Sequence, residues 1–294
     1  MEGRMKIPEK IWNRVKEQLN ADCGISRAAA EESGRQSKKT ILQSCPGLPE
    51  KGHLTDAAYG ELIRECLAKK TGTAPRVYEG TDLFFRGIVF SGQARILAAE
   101  EIFDWCAREY GGMKHPEWLC QFGSLRRLDR ELIRHGRKIE DVRLNFLPGE
   151  SGMQEHSAQT ASQKEGPVPF DVRLLEAGEL SGSRQFSAFR HAVCGSGLTP
   201  DVLAAAAVQD GRIVGMAGAT QDCEALWQIG VEVDEARRGK GMARILVSFL
   251  KEEILRRGKI PFYATSQSHI VSMNTALGAG FLPAWTEIYV SAGR

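Results

Sequence analysis

The sequence lacks the features that send a protein across or into a membrane. None of its apolar runs approaches the ~18 residues that a membrane span needs. The opening stretch MEGRMKIPEKIW also has no apolar core of a signal peptide. Its seven cysteines contain no Cys-x-x-Cys pair, so neither a zinc site nor a disulfide framework is indicated. These absences predict a cytoplasmic protein with reduced thiols and without a bound metal.

An excess of charge of either sign is also absent. Lysine and arginine number 39 against 37 for aspartate and glutamate, which gives a formal charge of +2. The whole chain is therefore not predicted to bind nucleic acid or a membrane surface. One stretch is locally basic and contains Arg126, Arg127, Arg130, Arg134, Arg137 and Lys138. Because Asp129 and Glu131 interrupt it and no aromatic residue is interleaved, a solvated helix face is favoured over a contact with nucleic acid.

The sequence does contain enough apolar material for two cores, since 42% of its 294 residues are hydrophobic. The polar stretch GESGMQEHSAQTASQKEGPVP has too little apolar surface to offset the entropy of ordering it. We therefore predict an α+β domain of unassigned role over residues 1–148, a flexible linker over 149–167 and a second domain over 168–294.

The second domain has the pattern of an α/β series. The apolar strands VLAAAAVQ and RIVGMAGATQ flank Asp210-Gly211, a pair that suits the positive φ angles of a hairpin turn. The strand LWQIGVEV, the helix MARILVSFLKEEILRR, the strand IPFYATS, a short helix and a last strand follow. This order predicts a sheet covered by helices, with a hairpin before the first crossover.

The segment VEVDEARRGKGMA, residues 231–243, joins a strand to the long helix through a basic glycine loop. A helix N-terminus exposes unpaired N–H groups and carries about half a positive charge, so it attracts phosphate oxygens. The loop is not an ATP-binding P-loop, because Lys240 is followed by Gly241 and not by Ser or Thr. It also lacks the dinucleotide pattern Gly-x-Gly-x-x-Gly. A binding site for another diphosphate is one interpretation, and an ordinary basic turn at the start of a helix is the other.

Two motifs resemble those of the GNAT superfamily of acyl-CoA-dependent N-acyltransferases. The family signature, Arg or Gln followed by x-x-Gly-x-Gly/Ala after an apolar strand, is matched by Arg238, Gly241 and Ala243. A second motif, Asn-x-x-Ala-x-x-x-Tyr-x-x-x-Gly-Phe, aligns with HIVSMNTALGAGF and keeps Gly280 and Phe281. The resemblance covers about residues 168–290. It implies a mixed, mostly antiparallel sheet flanked by helices, in a bacterial type of the family that carries an N-terminal extension.

The resemblance also implies acetyl-CoA as co-substrate. Main-chain N–H groups of the loop would hold its diphosphate, and the strand before the loop would bind pantetheine and stabilise the oxyanion through its main chain. His269 stands at the Asn position of the second motif and Ser272 at its Ala position; His269 could instead cap the short helix or act as a base. The predicted coenzyme-binding residues are Val231, Val233, Arg238, Gly239, Lys240, Gly241, Met242, Ala243, His269 and Ser272.

The second motif departs from the family at the proton donor. Ala276 stands where the family places the tyrosine that protonates the CoA thiolate, and alanine has no proton to donate. A thiol with a pKa of ~8.5 is a tolerable leaving group without help. Water, Tyr263, Ser272 or Tyr289 could also take the role.

Glu232 is the predicted catalytic residue on the amine side. An alkylammonium must lose a proton before it can attack a thioester. Glu232 alternates with Val231 and Val233, so it projects from the opposite face of the strand and could act as a base or through a water molecule. A surface carboxylate or a partner for Arg237 is the alternative interpretation.

These features predict an N-acetyltransferase that moves an acetyl group from acetyl-CoA to an amine by direct attack in a ternary complex. The acceptor is not identified by the sequence, a homodimer is one option for the assembly, and no nucleic-acid or membrane partner is expected. A catalytically weak acyl-CoA-binding sensor is the alternative, with Ala276 and His269 in its favour. The N-terminal domain would either shape the acceptor site or be a degenerate copy of the same fold.

Overall fold

The computed structural model describes residues 6–34, 40–44, 65–76, 83–150, 170–180, 186–194 and 199–291. The predicted linker lies outside these ranges from residue 151 onward. The chain divides into two compact units. The N-terminal unit comprises Trp12–Asn145 with Ala284–Arg294, and the C-terminal unit comprises Phe146–Pro283 with Met1–Ile11. No helix within the described ranges is long and apolar enough to cross a bilayer.

The first half of the chain contains four helices and four strands among its described residues, with a helical stretch at 65–71 and a 3₁₀ turn at Pro116–Trp118. The helices are α1 (Glu9–Asp22), α2 (Arg27–Gly34), α3 (Glu100–Tyr110) and α4 (Phe122–Arg134). The strands are β1 (Thr40–Ser44), β2 (Leu83–Phe90), β3 (Gln93–Ala98) and β4 (Asp141–Pro148).

The second half alternates strands and helices. Its strands are β5 (Asp171–Glu176), β6 (Asp201–Gln209), β7 (Arg212–Gln221), β8 (Leu226–Val233), β9 (Ile260–Ser266) and β10 (Phe281–Ser291). Its helices are α5 (Ala177–Leu180), α6 (Met242–Arg256) and α7 (Ile270–Gly278).

The N-terminal unit is built on a mixed sheet. Strands β2 and β3 form an antiparallel hairpin through Ser91 and Gly92, which take the positive φ angles of 54° and 73° that a tight turn requires. β1 pairs with β3 in parallel, and β10 pairs with β2 in antiparallel register from Trp285 onward. The helical spacing of Leu125, Leu128 and Leu132 predicts the inner face of α4. Leu128 and Leu132 are completely buried among residues of α3 and the sheet, and Leu125 is half-buried against them.

Helix α4 begins earlier than its sequence predicts. The sequence SLRRLDRELIRHG predicts a helix with Ser124 as its N-cap, but the N-cap is Gln121, and Ser124 is buried inside the first turn. Gln121 has the extended backbone typical of an N-cap, and its carbonyl accepts the first helical hydrogen bond from Leu125, at 2.9 Å. Phe122 therefore belongs to the helix and not to the preceding loop.

The C-terminal unit has the predicted mixed, mostly antiparallel sheet. The order is β5-β6-β7-β8-β9, in which only the β8–β9 pair is parallel. Asp210 and Gly211 make the β6–β7 turn with φ angles of 52° and 73°. Helix α6 packs on the sheet through Leu246, Leu250 and Ile254, which are completely buried. The fold class predicted from the sequence is confirmed.

The pattern ELSGSRQFSAFRHAV, residues 179–193, predicts a mostly helical segment. Among its described residues, Glu179 and Leu180 end helix α5, and residues 186–192 form successive turns, whereas residues 181–185 lie outside the described ranges. The N–H of Phe189 donates to the carbonyl of Phe186 at 2.8 Å, and the N–H of Ala192 to that of Phe189 at 2.9 Å. We call residues 186–194 the turn segment.

Candidate functional site

The loop between β8 and α6 has the geometry of an anion-binding helix start. Gly239 and Gly241 take φ angles of 78° and 76°, which are accessible to glycine at little cost. The first bond of the helix runs from the N–H of Ile245 to the carbonyl of Gly241, at 3.1 Å. The N–H groups of Met242 and Ala243 precede this bond and have no partner within the helix.

The N–H groups of residues 239–243 are not occupied by any other residue that the structure describes. The N–H of Arg238, in contrast, donates to the carbonyl of Glu235 at 3.2 Å. The open run of amides therefore begins at Gly239, one residue later than the signature alone suggests. These donors lie at the positive end of a helix of 15 residues, where an anion is stabilised.

The side chain of Arg238 holds the loop against the strand. Its Nε donates to the carbonyl of Val233, the last residue of β8, at 3.1 Å. The exposed residues Gly239 and Lys240 follow, and Arg237 is half-buried. The guanidinium of Arg238 is thus committed to loop geometry, whereas Lys240 carries its charge at the exposed surface of the loop.

The strand before the loop has one free edge. β8 pairs with β9 only from Leu226↔Ile260 to Ile229↔Tyr263, although it pairs with β7 as far as Val233↔Gly215. On the β9 side, residues 230–233 have no ladder partner among the described strands. Their main-chain groups can therefore bind an extended ligand as a further strand would.

The two faces of β8 differ in what covers them. Val233 is buried, and Val231 is half-buried. The Cβ position of Gly215 is close to both Val233 and Met242, which places Val233 on the α6 side of the sheet. Glu232 projects to the opposite face, as predicted, and its carboxylate accepts a hydrogen bond from the N–H of His191 at 3.1 Å.

Two glycines bring the turn segment against the sheet. Gly218 and Gly230 are cross-strand partners. A Cβ at Gly218 would lie 1.8 Å from the carbonyl oxygen of Ala192, and one at Gly230 would lie 1.8 Å from that of His191. Only glycine, which has no Cβ, allows the turn segment to lie this close to the sheet. The close contact positions the His191 N–H that donates to Glu232. The motifs and the periodicity of the sequence do not predict this contact; the glycines inside two strands are the sequence signal that could have indicated it.

The start of α7 contributes hydroxyl groups. His269 is the exposed N-cap residue of α7, and its ring makes no capping hydrogen bond. Ser272 Oγ and Tyr263 Oη are 3.0 Å apart. Burial raises the pKa of Tyr263, and the bond to Ser272 partly offsets that rise. Ala276 is completely buried.

Tyr289, one of the predicted alternatives for the proton donor, belongs to the N-terminal unit. The guanidinium of Arg86 stacks over its ring, 5.4 Å from the centroid.

The described residues include no cluster of three or more histidine, cysteine, aspartate or glutamate side chains placed to hold a metal.

The loop thus combines open amides at a helix start with a strand edge that no described strand pairs, and hydrogen-bond donors in this arrangement can bind an extended ligand that carries a phosphate group. Residues 172–281 match the model of the acetyltransferase (GNAT) family. This part of the chain is a GNAT-family domain, as its two motifs predict. No curated protein matches the chain.

Several solved structures are similar to part of the chain. A putative GNAT acetyltransferase from Novosphingobium aromaticivorans is 19% identical, with 54% of this chain and 69% of that chain covered and a TM-score of 0.37. A GCN5-related N-acetyltransferase from Sphaerobacter thermophilus is 18% identical, with 58% and 56% covered and a TM-score of 0.40. The aminoglycoside N-acetyltransferase AAC(6')-Iy in complex with CoA is 17% identical, with 39% and 89% covered and a TM-score of 0.30.

Proposed function

We propose that the C-terminal unit is an N-acyltransferase that moves an acetyl group from acetyl-CoA to an amine within a ternary complex. The observation that carries the proposal is the open run of amides at residues 239–243, which sits at the start of α6 and follows the free edge of β8. An acyltransferase needs both features, because its donor has an anionic diphosphate joined to an extended pantetheine arm.

In the proposed complex, the diphosphate accepts hydrogen bonds from the N–H groups of Gly239, Gly241, Met242 and Ala243. The side chain of Lys240 screens the remaining negative charge. The pantetheine arm pairs with the main chain of Val231 and Val233, so that an N–H of β8 faces the thioester oxygen when it becomes an oxyanion. His269 and Ser272 border the same arm from α7.

Glu232 is the proposed general base. It removes a proton from the ammonium, directly or through one water molecule, and the neutral amine then attacks the thioester carbonyl carbon. The bond from the His191 N–H orients the carboxylate before substrate binds. The carbon–sulfur bond breaks, and the electron pair leaves with sulfur as CoA thiolate.

Ser272 is the proposed donor of a proton to that thiolate, and Tyr263 passes its phenol proton to Ser272 in the same step. Solvent then returns a proton to Tyr263 and takes up the second proton that the attacking nitrogen loses. Ser272 and Tyr263 are hydrogen-bonded, and burial raises the pKa of the phenol above its ordinary value, so the phenol carries its proton at neutral pH. Ser272→Ala should slow acyl transfer from CoA thioesters more than from thioesters of a more acidic thiol, whose anion leaves without a proton. An equal effect on both donors would remove Ser272 from this role.

A thermal-shift titration tests the coenzyme site. Acetyl-CoA should raise the unfolding midpoint, because a ligand at a hundred times its Kd stabilises the folded state by about 2.7 kcal/mol. Gly241→Glu should abolish the rise, since its carboxylate would repel the diphosphate. Gly211→Glu is the matched control, because Gly211 has a similar φ of 73° and open space, in a hairpin of the same unit. An equal rise in both variants would contradict the assigned loop.

The acyl-CoA sensor is the second candidate, and the buried Ala276 in place of a proton donor favours it. It predicts binding of acetyl-CoA without thiol release for any member of a broad amine panel. Thiol release with even one amine, above the rate without amine, would reject it.

A further inference from the structure

A cavity of about 290 Å³ lies at the start of α4 in the N-terminal unit, and none of its lining residues belongs to the coenzyme site proposed above. The rings of His115 and Trp118 stack beside it, with centroids 4.1 Å apart and planes inclined by 18°. The side chains that give the cavity its character are Lys114, His115, Trp118, Gln121, Ser124 and Arg127. The wall of the cavity therefore combines more apolar than polar surface, with an aromatic side and with basic side chains contributed by Lys114 and Arg127.

Two aromatic side chains in this region are open to solvent. Trp118, which lines the cavity, is 47% exposed, and Phe122, the first residue of α4 and a chain neighbour of the lining residues Gln121 and Gly123, is 77% exposed. The sequence predicts that α4 starts at Ser124, which would place Phe122 in a loop. The sequence therefore does not predict that Phe122 lies on the same helix as the basic stretch. Exposed rings next to a cavity are a feature of binding surfaces, because they leave apolar area in water that a partner could cover.

Two exposed arginines continue from Phe122 along the same side of α4. Arg126 and Arg130 follow at intervals of four residues, which correspond to about 6 Å of rise each. Neither forms an ion pair with any residue of the described chain. Their neighbours do: Arg127 bonds to Glu109, and Arg134 bonds to Glu131 at 2.8 Å.

The acidic residues that interrupt this basic stretch are already engaged. Asp129 is half-buried and accepts a hydrogen bond from the N–H of Ile139 at 2.9 Å. Glu131 is half-buried and pairs with Arg134 and His135. Asp129 and Glu131 therefore do not pair with Arg126 or Arg130, whose charges have no ion-pair partner among the described residues. The basic stretch itself contains no aromatic residue, but Phe122 lies four residues before Arg126.

We propose that the surface formed by Lys114, Trp118, Phe122, Arg126 and Arg130, the α4 surface, binds single-stranded nucleic acid. A base stacks on the exposed rings at the cavity, and the phosphates follow the arginines along the helix. Unpaired bases fit this surface better than a duplex does, because a duplex keeps its base faces covered. An acidic protein segment would match the charge but would not need the two rings.

Fluorescence anisotropy of a labelled single-stranded oligonucleotide of about 12 nucleotides, within the usual range of site sizes, tests the proposal on the full chain. We expect binding that weakens linearly on a log–log plot against salt concentration. Arg126→Gln should reduce the salt slope by about 0.7, the share of one phosphate contact on a single strand. Arg212→Gln, an exposed arginine of β7, is the matched control and should leave the slope unchanged.

Variants of Phe122 distinguish base stacking from a purely electrostatic attraction. Phe122→Ala should weaken binding of the single strand about ten-fold at an unchanged salt slope, and Phe122→Tyr should retain most of the affinity. Because Phe122 is 77% exposed, its replacement should leave the unfolding midpoint unaltered, which is measured alongside.

Three outcomes would overturn the proposal. The first is the absence of salt-dependent binding. The second is an equal affinity for heparin or duplex DNA, together with no effect of Phe122→Ala. The third is displacement of the single strand by a free mononucleotide at the same molar concentration of nucleotide units. None of these outcomes depends on acyl transfer, so the proposal for the α4 surface is tested independently of the proposal for the coenzyme site.

Discussion

At the residue scale, the position of the Glu232 carboxylate depends on both the local sequence and the tertiary fold. Alternation along β8 places its side chain away from the α6 face, and the turn segment then supplies the His191 N–H that holds it. The direction of the side chain follows from the alternation of three neighbouring residues. The hydrogen bond to the carboxylate needs a main-chain group 41 positions away, which no local pattern predicts.

Glu232→Gln should lower the rate of acyl transfer by about 10² to 10⁴, the usual worth of a general base. The amide oxygen of glutamine can still accept the His191 N–H, so the fold and the thermal response to acetyl-CoA should not change. The measurement is thiol release with any amine that serves as acceptor, together with the thermal shift. An unaltered rate would leave Glu232 as a surface carboxylate.

At the element scale, the β8–loop–α6 unit is predictable from sequence because its determinants are adjacent. The strand pattern, the two glycines and the apolar helix occur within one run of residues, and the helix start lies where the motif places it. The turn segment is not predictable in this way. Its sequence favours a helix, but tertiary contact with Gly218 and Gly230 from two distant strands accompanies a different conformation.

Gly230→Ala should disturb the turn segment, because the new Cβ would lie 1.8 Å from the carbonyl oxygen of His191. We expect a loss of about 1–3 kcal/mol in the free energy of unfolding, typical of overpacking, and a lower transfer rate through misplacement of the Glu232 partner. Chemical denaturation measures the first effect. Gly178→Ala is the control, since nothing lies within 4 Å of its Cβ position; equal stability of the two variants would contradict the close approach.

At the scale of the whole molecule, the two ends of the described chain meet inside the N-terminal unit. Arg76 Nε is 2.6 Å from Asp22 Oδ2, and its Nη2 is 2.8 Å from Glu287 Oε2. Glu287 also accepts the indole N–H of Trp285 at 3.1 Å, with Arg86 beside it. Helix α1 and strand β10 are thereby joined through buried charges, a pairing that depends on long-range contact and that local sequence patterns do not specify.

Glu287→Gln should destabilise this unit by about 3–5 kcal/mol, because it removes one partner of a buried ion pair and leaves Arg76 short of countercharge. Glu176→Gln breaks an exposed ion pair with Arg257 and should cost less than about 1 kcal/mol. Urea unfolding of both variants gives the comparison. Equal losses in the two would show that the buried group does not hold the unit together.

The most direct measurement of the central claim is an NMR titration of the ¹⁵N-labelled protein with acetyl-CoA. The claim predicts that the amide signals of Gly239, Gly241, Met242 and Ala243 shift most, with smaller shifts in residues 230–233, while the signals of Gly211 and its hairpin stay in place. Saturable binding that leaves those four amides unshifted would contradict it, because the diphosphate would then be held somewhere else.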